Sequence, residues 1–106
     1  MTTHRIRLHG AWTVTELGPD RVRHARRFGR PRHLDPGESA WVVCDWPPGP
    51  GEVRLNGEPL GPVAGGQPFA YDVTPRLLPR NELSIEVEAP ADVPPGDVAL
   101  EIRGAP

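Results

Sequence analysis

The sequence predicts an all-β protein, an antiparallel β-sandwich, on three observations. Apolar and polar residues alternate with a period of two in run after run, as in Leu83, Ile85 and Val87 against Glu82, Ser84, Glu86 and Glu88. No window of helical length keeps an i, i+3, i+4 apolar stripe without meeting Pro or Gly. The 15 Pro and 12 Gly fall between the alternating runs and not in one tract, so they read as turns between short strands, about eight of them.

Taken in order, Arg5 to Leu8 sets Ile6 and Leu8 on one face. After Gly10, read as a bulge or bend, Trp12 and Val14 alternate with Thr13 and Thr15. Leu17-Gly18-Pro19-Asp20 has turn chemistry and opens a strand over Arg21 to Pro31; His33 to Glu38, centred on Asp35-Pro36-Gly37, is the next turn. Ser39 to Trp46 is the most apolar run, with Trp41 and Val43 on one face and Val42, Cys44 and Trp46 on the other, the pattern of a central strand covered on both sides.

Pro47 to Gly51 breaks the chain. Beyond it, Asn56-Gly57 between Glu52–Leu55 and Glu58–Leu60 predicts a tight hairpin, because both turn positions need positive φ. Pro59 makes the return strand an edge, or very short. Pro68 to Val73 places Phe69, Tyr71 and Val73 on one face, and Thr74-Pro75 has the form of an N-cap and first helical residue, predicting one helical turn over Pro75 to Leu78 that Pro79 ends. The last two strands set Leu83, Ile85 and Val87, then Val98, Leu100 and Ile102, inward against Ala99, Glu101 and Arg103.

A length of 106 residues suits one domain with one core, expected over residues 1–106. The formal charge of −2 gives no global pull towards nucleic acid or an anionic membrane. Cys44 is the one cysteine, so no internal disulfide forms and a reducing compartment is the simpler setting. Met1-Thr2-Thr3-His4-Arg5 lacks the apolar stretch of a signal peptide, and no run approaches the ~20 apolar residues of a membrane span. The expectation is a cytoplasmic protein, a monomer or weak homodimer, without nucleic-acid or membrane partners.

Residues suited to catalysis are not arranged for it. Glu82, Glu86 and Glu88 fit the solvated face of a strand and not a pair poised across a cleft. His4, His9, His24 and His33 lack metal-ligand spacing, Cys44 has no partner, Ser39 and Ser84 lie in strand patterns, and no glycine-rich phosphate loop is present. No catalytic residue, metal site or cofactor is therefore expected. The densest local feature is Arg21, Arg23, Arg26, Arg27, Arg30 and Arg32 with His24 and His33. It suits a polyanion, but alternation sends Arg21 and Arg23 to solvent, where acids of the second half neutralise them across the sheet. Trp46, followed by Pro47-Pro48-Gly49, has two readings: it fills the core with Trp12 and Trp41, which the composition of such sandwiches favours, or it stands exposed and stacks on the C–H face of a sugar.

The order of Glu52 to Gly61 (EVRLNGEPLG), Gly65-Gly66-Gln67-Pro68-Phe69, Tyr71-Asp72-Val73-Thr74 and Asn81 to Val87 (NELSIEV) resembles the sugar-binding jelly-roll domain of glycoside hydrolase family 2. This galactose-binding-like fold precedes the barrel in β-galactosidases and β-glucuronidases. Upstream, Trp12 and Arg26-Arg27-Phe28 to Pro31 sit where that family has an early tryptophan and an R-x-F-x-x-P strand. The resemblance implies an antiparallel jelly-roll β-sandwich, galactose-binding-domain-like, with first and last strands adjacent. The family's catalytic carboxylates belong to a separate barrel, which needs about 250 residues, so the resemblance argues against hydrolysis by this chain. It implies a non-catalytic carbohydrate-binding-like module with Trp46, Arg27 and Gln67 as contacts. The alternative is a protein–protein interaction or scaffold domain with no sugar ligand, packing as the family's domain packs on its barrel.

Overall fold

A computed structural model describes residues 3–104. Among them nine strands form: β1 (Thr3–Arg7), β2 (Thr13–Gly18), β3 (Arg21–Gly29), β4 (Ser39–Asp45), β5 (Gly51–Leu55), β6 (Glu58–Val63), β7 (Phe69–Asp72), β8 (Arg80–Val87) and β9 (Asp97–Arg103). They pair antiparallel into two sheets, ordered β1-β9-β4-β7 and β2-β3-β8-β5-β6. The first and last strands lie side by side, Thr3 opposite Arg103 through Arg7 opposite Ala99. This is the β-sandwich the alternation predicts.

The inner faces supply the core. Val53 and Leu55 of β5, Leu83, Ile85 and Val87 of β8 and Val22 of β3 meet Ala40, Val42 and Cys44 of β4 and Val98, Leu100 and Ile102 of β9. Burying each Val, Leu or Ile is worth about 1.5–3 kcal/mol relative to leaving it exposed, so this alternating set is the main stabilising term. Cys44 is fully buried among them and burial pushes its thiol up to about 12, the behaviour of a small hydrophobe.

Local chemistry places the corners. At Gly10 (φ 73°) the chain leaves the first sheet for the second, and Trp12 Nε1 donates to the Leu8 carbonyl at 2.9 Å across that bend. Asn56 and Gly57 both take positive φ (52° and 83°) between Leu55 and Glu58, giving the two-residue hairpin their sequence demands. The return strand β6 is an edge of the five-stranded sheet, carries Pro59 and Pro62, and meets β5 through a bulge between Val53 and Arg54.

Three expectations are corrected. The helical turn is a 3-10 turn at Thr74–Arg76 with Val73 as its N-cap. Thr74 does not cap because its hydroxyl donates to Asp72 Oδ1 (2.6 Å) and accepts from the Ala40 amide (2.8 Å), tying the turn to β4. Trp41 does not fill the core. It lies half-buried on the outer face of the first sheet, with the Arg103 guanidinium 4.2 Å from its ring centroid and its Nε1 donating to Ser39 Oγ. Trp46 is not in the core either, being 75% exposed.

Charge on the outer faces is paired by register. Arg23 stands opposite Glu86 and bonds it at 2.6 Å, with Arg21 at 3.5 Å from the same carboxylate. The Arg23 hydrogen bond, followed by Arg21, holds Glu86 below the usual carboxylate range. On the first sheet Arg103 and Arg5 bond Glu101 and lower it likewise, and Arg5 also reaches Asp45 at 3.2 Å.

One core residue is polar without a partner. His24 of β3 is buried, opposite Val14 and Ile85, and neither ring nitrogen has a hydrogen-bond partner among the described residues. Burial lowers its pKa, and the Val93 backbone, near the ring but outside hydrogen-bond geometry, opposes this only in part. Folding then excludes a proton that the unfolded chain binds below its ordinary pKa of about 6.5, so stability is present above that pH and is lost as pH falls. Urea unfolding at pH 7.5 and pH 5.5, above the carboxylate range, should show the native protein weaker at the lower pH, and His24→Leu should remove most of the difference. Equal pH dependence in the two proteins would reject the assignment.

The β4-to-β5 passage sets a second test. A Cβ at Gly51 would collide with the Glu86 carbonyl, and one at Gly49 with the Glu88 carbonyl, because this segment runs against the β8 backbone and Glu88 donates to the Pro50 carbonyl. Gly51→Ala should cost about 3 kcal/mol or more, as severe overpacking does, and calorimetry should show a large fall in Tm or no folded protein at all.

Candidate functional site

Two concavities hold Trp46 and Arg27, two of the residues expected to touch a ligand, and they lie at different places; Gln67 lines neither. The first is at the end of β4. Trp46 follows the strand with φ 59°, a left-handed conformation that is an outlier for a bulky residue. It is held there from several sides. Pro47, fully buried, accepts from Gly66 N at 2.9 Å, Cys44 Sγ donates to Pro95 O, and Gly96 packs so closely that a Cβ would stand 2.7 Å from Asp45 O and 3.0 Å from Trp46 O.

The reversal throws the indole outward instead of along the strand's inner face. Asp45, Trp46, Gly66 and Pro68 line an open concavity of about 310 Å3. Gln67 lies between two of those residues, exposed, and its side-chain amide has no hydrogen-bond partner among the described residues. The Asp45 carboxylate, half-buried beside Arg5, is the other polar group at the rim. Trp46 thus presents an aromatic face beside a carboxylate in one small cleft, and Gln67 adjoins that lining in the chain.

Arg27 is elsewhere. In the second sheet Leu55, Leu83 and Arg26 are level with one another, while Gly51, just after the Trp46 loop, is level with Val87 and Val22. Four residues of strand, about 13 Å at 3.3 Å each, separate the two levels. Arg27 belongs to the concavity of about 560 Å3 lined by Arg27, Phe28, Gly29, Asn56, Arg80, Asn81 and Glu82. Its side chain is 89% exposed and approaches Glu82 only at 4.0 Å. Of the three expected contacts, Trp46 and Arg27 therefore lie at different levels of the sandwich, and Gln67 follows Gly66 in the chain without lining either concavity.

The polar groups in the larger concavity are not all free to bind. The buried Asn81 carboxamide donates to Leu78 O (2.9 Å), and its oxygen accepts from Leu78 N (2.9 Å) and Asn56 Nδ2 (3.1 Å). Asn56 Oδ1 in turn accepts from Glu82 N at 2.9 Å. These asparagines join the hairpin to the start of β8. Arg80 and Asn81, like the network of Arg5, Glu101, Arg103 and Trp41 on the opposite sheet, were not singled out by the sequence as site residues; only strand register, which fixes cross-strand neighbours, would have found them.

The carboxylates do not form a hydrolytic pair. Glu52 and Glu86 face each other across β5 and β8, but Glu52 bonds Arg54 at 2.7 Å and Glu86 is lowered by Arg23, whereas a general acid needs a raised pKa. Among the described residues no group of three or more His, Cys, Asp or Glu could hold a metal ion, and no helix is long and apolar enough to cross a membrane.

No protein-family model matches the sequence, and no curated protein matches it. Solved structures do match in fold. The β-glucuronidase of Bifidobacterium dentium, solved with coumarin-3-O-glucuronide, superposes with a TM-score of 0.80 at 19% identity over 97% of this chain and 30% of that one. The β-glucuronidase of Dictyoglomus thermophilum gives 0.79 at 14% identity, over 97% and 28%. That of Bacteroides uniformis gives 0.77 at 14%, over 95% and 18%. The chain thus has the fold of one part of these enzymes and spans less than a third of their length. The fold-level resemblance to a glycoside hydrolase family 2 sugar-binding domain holds in three dimensions.

The asparagine cluster and Arg27 predict opposite outcomes on truncation. Asn81→Ala leaves the Leu78 amide and carbonyl unpaired and should cost about 2–3 kcal/mol. Arg27→Ala, at an exposed ion pair, should stay within about 0.5 kcal/mol. Denaturant unfolding of the two variants checks both.

Proposed function

We propose that this domain is a non-catalytic carbohydrate-binding module whose ligand stacks on Trp46. The observation that carries the reading is the exposed indole held in a left-handed backbone conformation. Such a conformation costs a bulky residue about 1–3 kcal/mol and persists only where its surroundings over-determine it, which is commonest at binding sites. A Gly or Asn would occupy the position with little strain. The indole offers an apolar face to the C–H groups of a sugar ring, the Asp45 carboxylate lines the same cleft to meet hydroxyls, and Gln67, next to that lining in the chain, is the further contact this reading assigns.

The fold is shared with a part of β-glucuronidases that is far shorter than the whole enzymes, which supports a binding role over hydrolysis. A cytoplasmic location accords with the same reading. The scaffold alternative has one observation in its favour: Ile6, Val14 and Leu17 are exposed along the neighbouring edges β1 and β2.

Trp46→Gly separates binding from folding. On a glycan array and in calorimetric titration with galactosides, glucosides and oligosaccharides, the native domain should bind and Trp46→Gly should not, while Tm is unchanged or raised as the strain is relieved. A native domain that binds no glycan, or a variant that binds as well as the native one, would move the assignment to a protein partner on the β1–β2 edge.

A further inference from the structure

We propose that the concavity over Gly29, at the opposite end of the second sheet from Trp46, binds a small oxyanion-bearing ligand of about monosaccharide size. Its gap follows from register. Arg27 stands opposite Glu82 and Gly29 opposite Arg80, so Arg27, Glu82 and Arg80 rise from one face around a position with no side chain. A Cβ at Gly29 would meet only Pro79 O, at 3.9 Å, leaving open space above the backbone there. The volume of about 560 Å3 falls within the range of small-molecule sites.

The charges in this concavity are unbalanced. Glu82 is the one carboxylate in the lining, and it reaches Arg27 only at 4.0 Å between two exposed side chains. Arg80 has no carboxylate within 4.0 Å among the described residues. This contrasts with Arg5, Arg21, Arg23, Arg54 and Arg103, each of which reaches an acid at 3.5 Å or less. Arg30 and Arg32 line the adjoining hollow with Pro31, Leu34 and Pro79, adding positive field with no acid among them.

Arg27 and Arg80, diagonal across β3 and β8 on one face beside an open floor, bring guanidinium groups of the kind that pair with a carboxylate or phosphate. The asparagines behind them are occupied in fixing the hairpin to β8, so recognition falls to the arginines while the Asn56–Asn81 bonds keep the wall rigid. Phe28 adds an apolar surface at the back. Carboxylate and phosphate share this chemistry, and the ligand series below separates them.

The test is an NMR titration of the full chain with glucuronate, glucose 6-phosphate and glucose. Glucuronate or glucose 6-phosphate should shift the amides of Gly29, Asn56 and Arg80, and the tighter of the two identifies the anion; glucose should leave these amides unmoved. Arg80→Gln should weaken the anion about ten-fold, the value of one charge-assisted hydrogen bond, and Glu82→Gln, which removes the competing carboxylate, should tighten it several-fold. Affinity should fall with added salt. Equal response to glucose, binding that survives Arg80→Gln in a folded protein, or weakening in Glu82→Gln would each overturn the proposal. Trp46→Gly should leave the anion titration unchanged, so failure here is distinct from failure at the tryptophan cleft.

Discussion

The passage of the chain from β4 to β5 is the constraint on which the rest of the structure depends. It must carry the backbone from the centre of one sheet to the other within five residues, and it does so by lying against β8. Gly49 and Gly51 have no room for a side chain over the Glu88 and Glu86 carbonyls, and Pro50 accepts the Glu88 amide. That contact sets Gly51 level with Val87 and so fixes the register of β5 on β8. Because side chains alternate with a period of two, a slip of one residue would turn Val53 and Leu55 to solvent. The same passage buries Pro47, runs so close to Gly65 that a Cβ there would stand 3.4 Å from the Gly49 Cα, and includes the reversal at Trp46. Core, sheet order and exposed tryptophan are consequences of one crossing.

Electrostatics acts after packing, not in place of it. The arginines of β3 that face outward find Glu86 because register sets them opposite β8, and such exposed pairs contribute little stability each. Their larger effect is on the character of the surface. Arg21 and Arg23 are consumed by Glu86 at one level of the sheet, while at the other level the acids run out and arginine is left over. An arginine-rich strand in a chain of net negative charge thus becomes locally basic at one end only.

Much of the fold was legible in the sequence because its signals are short in range. Asn56-Gly57 specifies its hairpin by φ alone, and the alternation of Leu83, Ile85 and Val87 specifies the buried face of β8. The failures share a cause. Trp46 continued an alternating pattern and so read as inward, but a single left-handed residue ends the strand and cancels the alternation, and that residue's φ is set by Gly96, Pro47 and Gly66, which are distant or silent in the pattern. Thr74 read as a cap from its neighbour Pro75, yet its hydroxyl is claimed by Asp72 and by Ala40, which is 34 residues away. Trp41 read as core because apolar residues on both faces of β4 suggested two covering layers. The second cover is instead a side chain, Arg103, which no local pattern names. The sequence offered residue types for a candidate site and not its geometry, since Arg27 is on the far level of the sheet from Trp46 and Gln67 lines neither concavity.

That division bears on what a sandwich of this size can do. Among the described residues the inward-facing side chains fill the core, and the outer faces carry arginine–glutamate pairs that lower the Glu86 and Glu101 carboxylates instead of raising them. What remains for ligands are the places where a strand stops or a side chain is missing: the reversal after β4 and the gap over Gly29. One presents an aromatic face beside a carboxylate, the other arginines beside an open floor. The gap over Gly29 stands on backbone paired in the sheet, while the reversal at Trp46 is a loop held by the Gly66–Pro47 hydrogen bond and the close approach of Gly96.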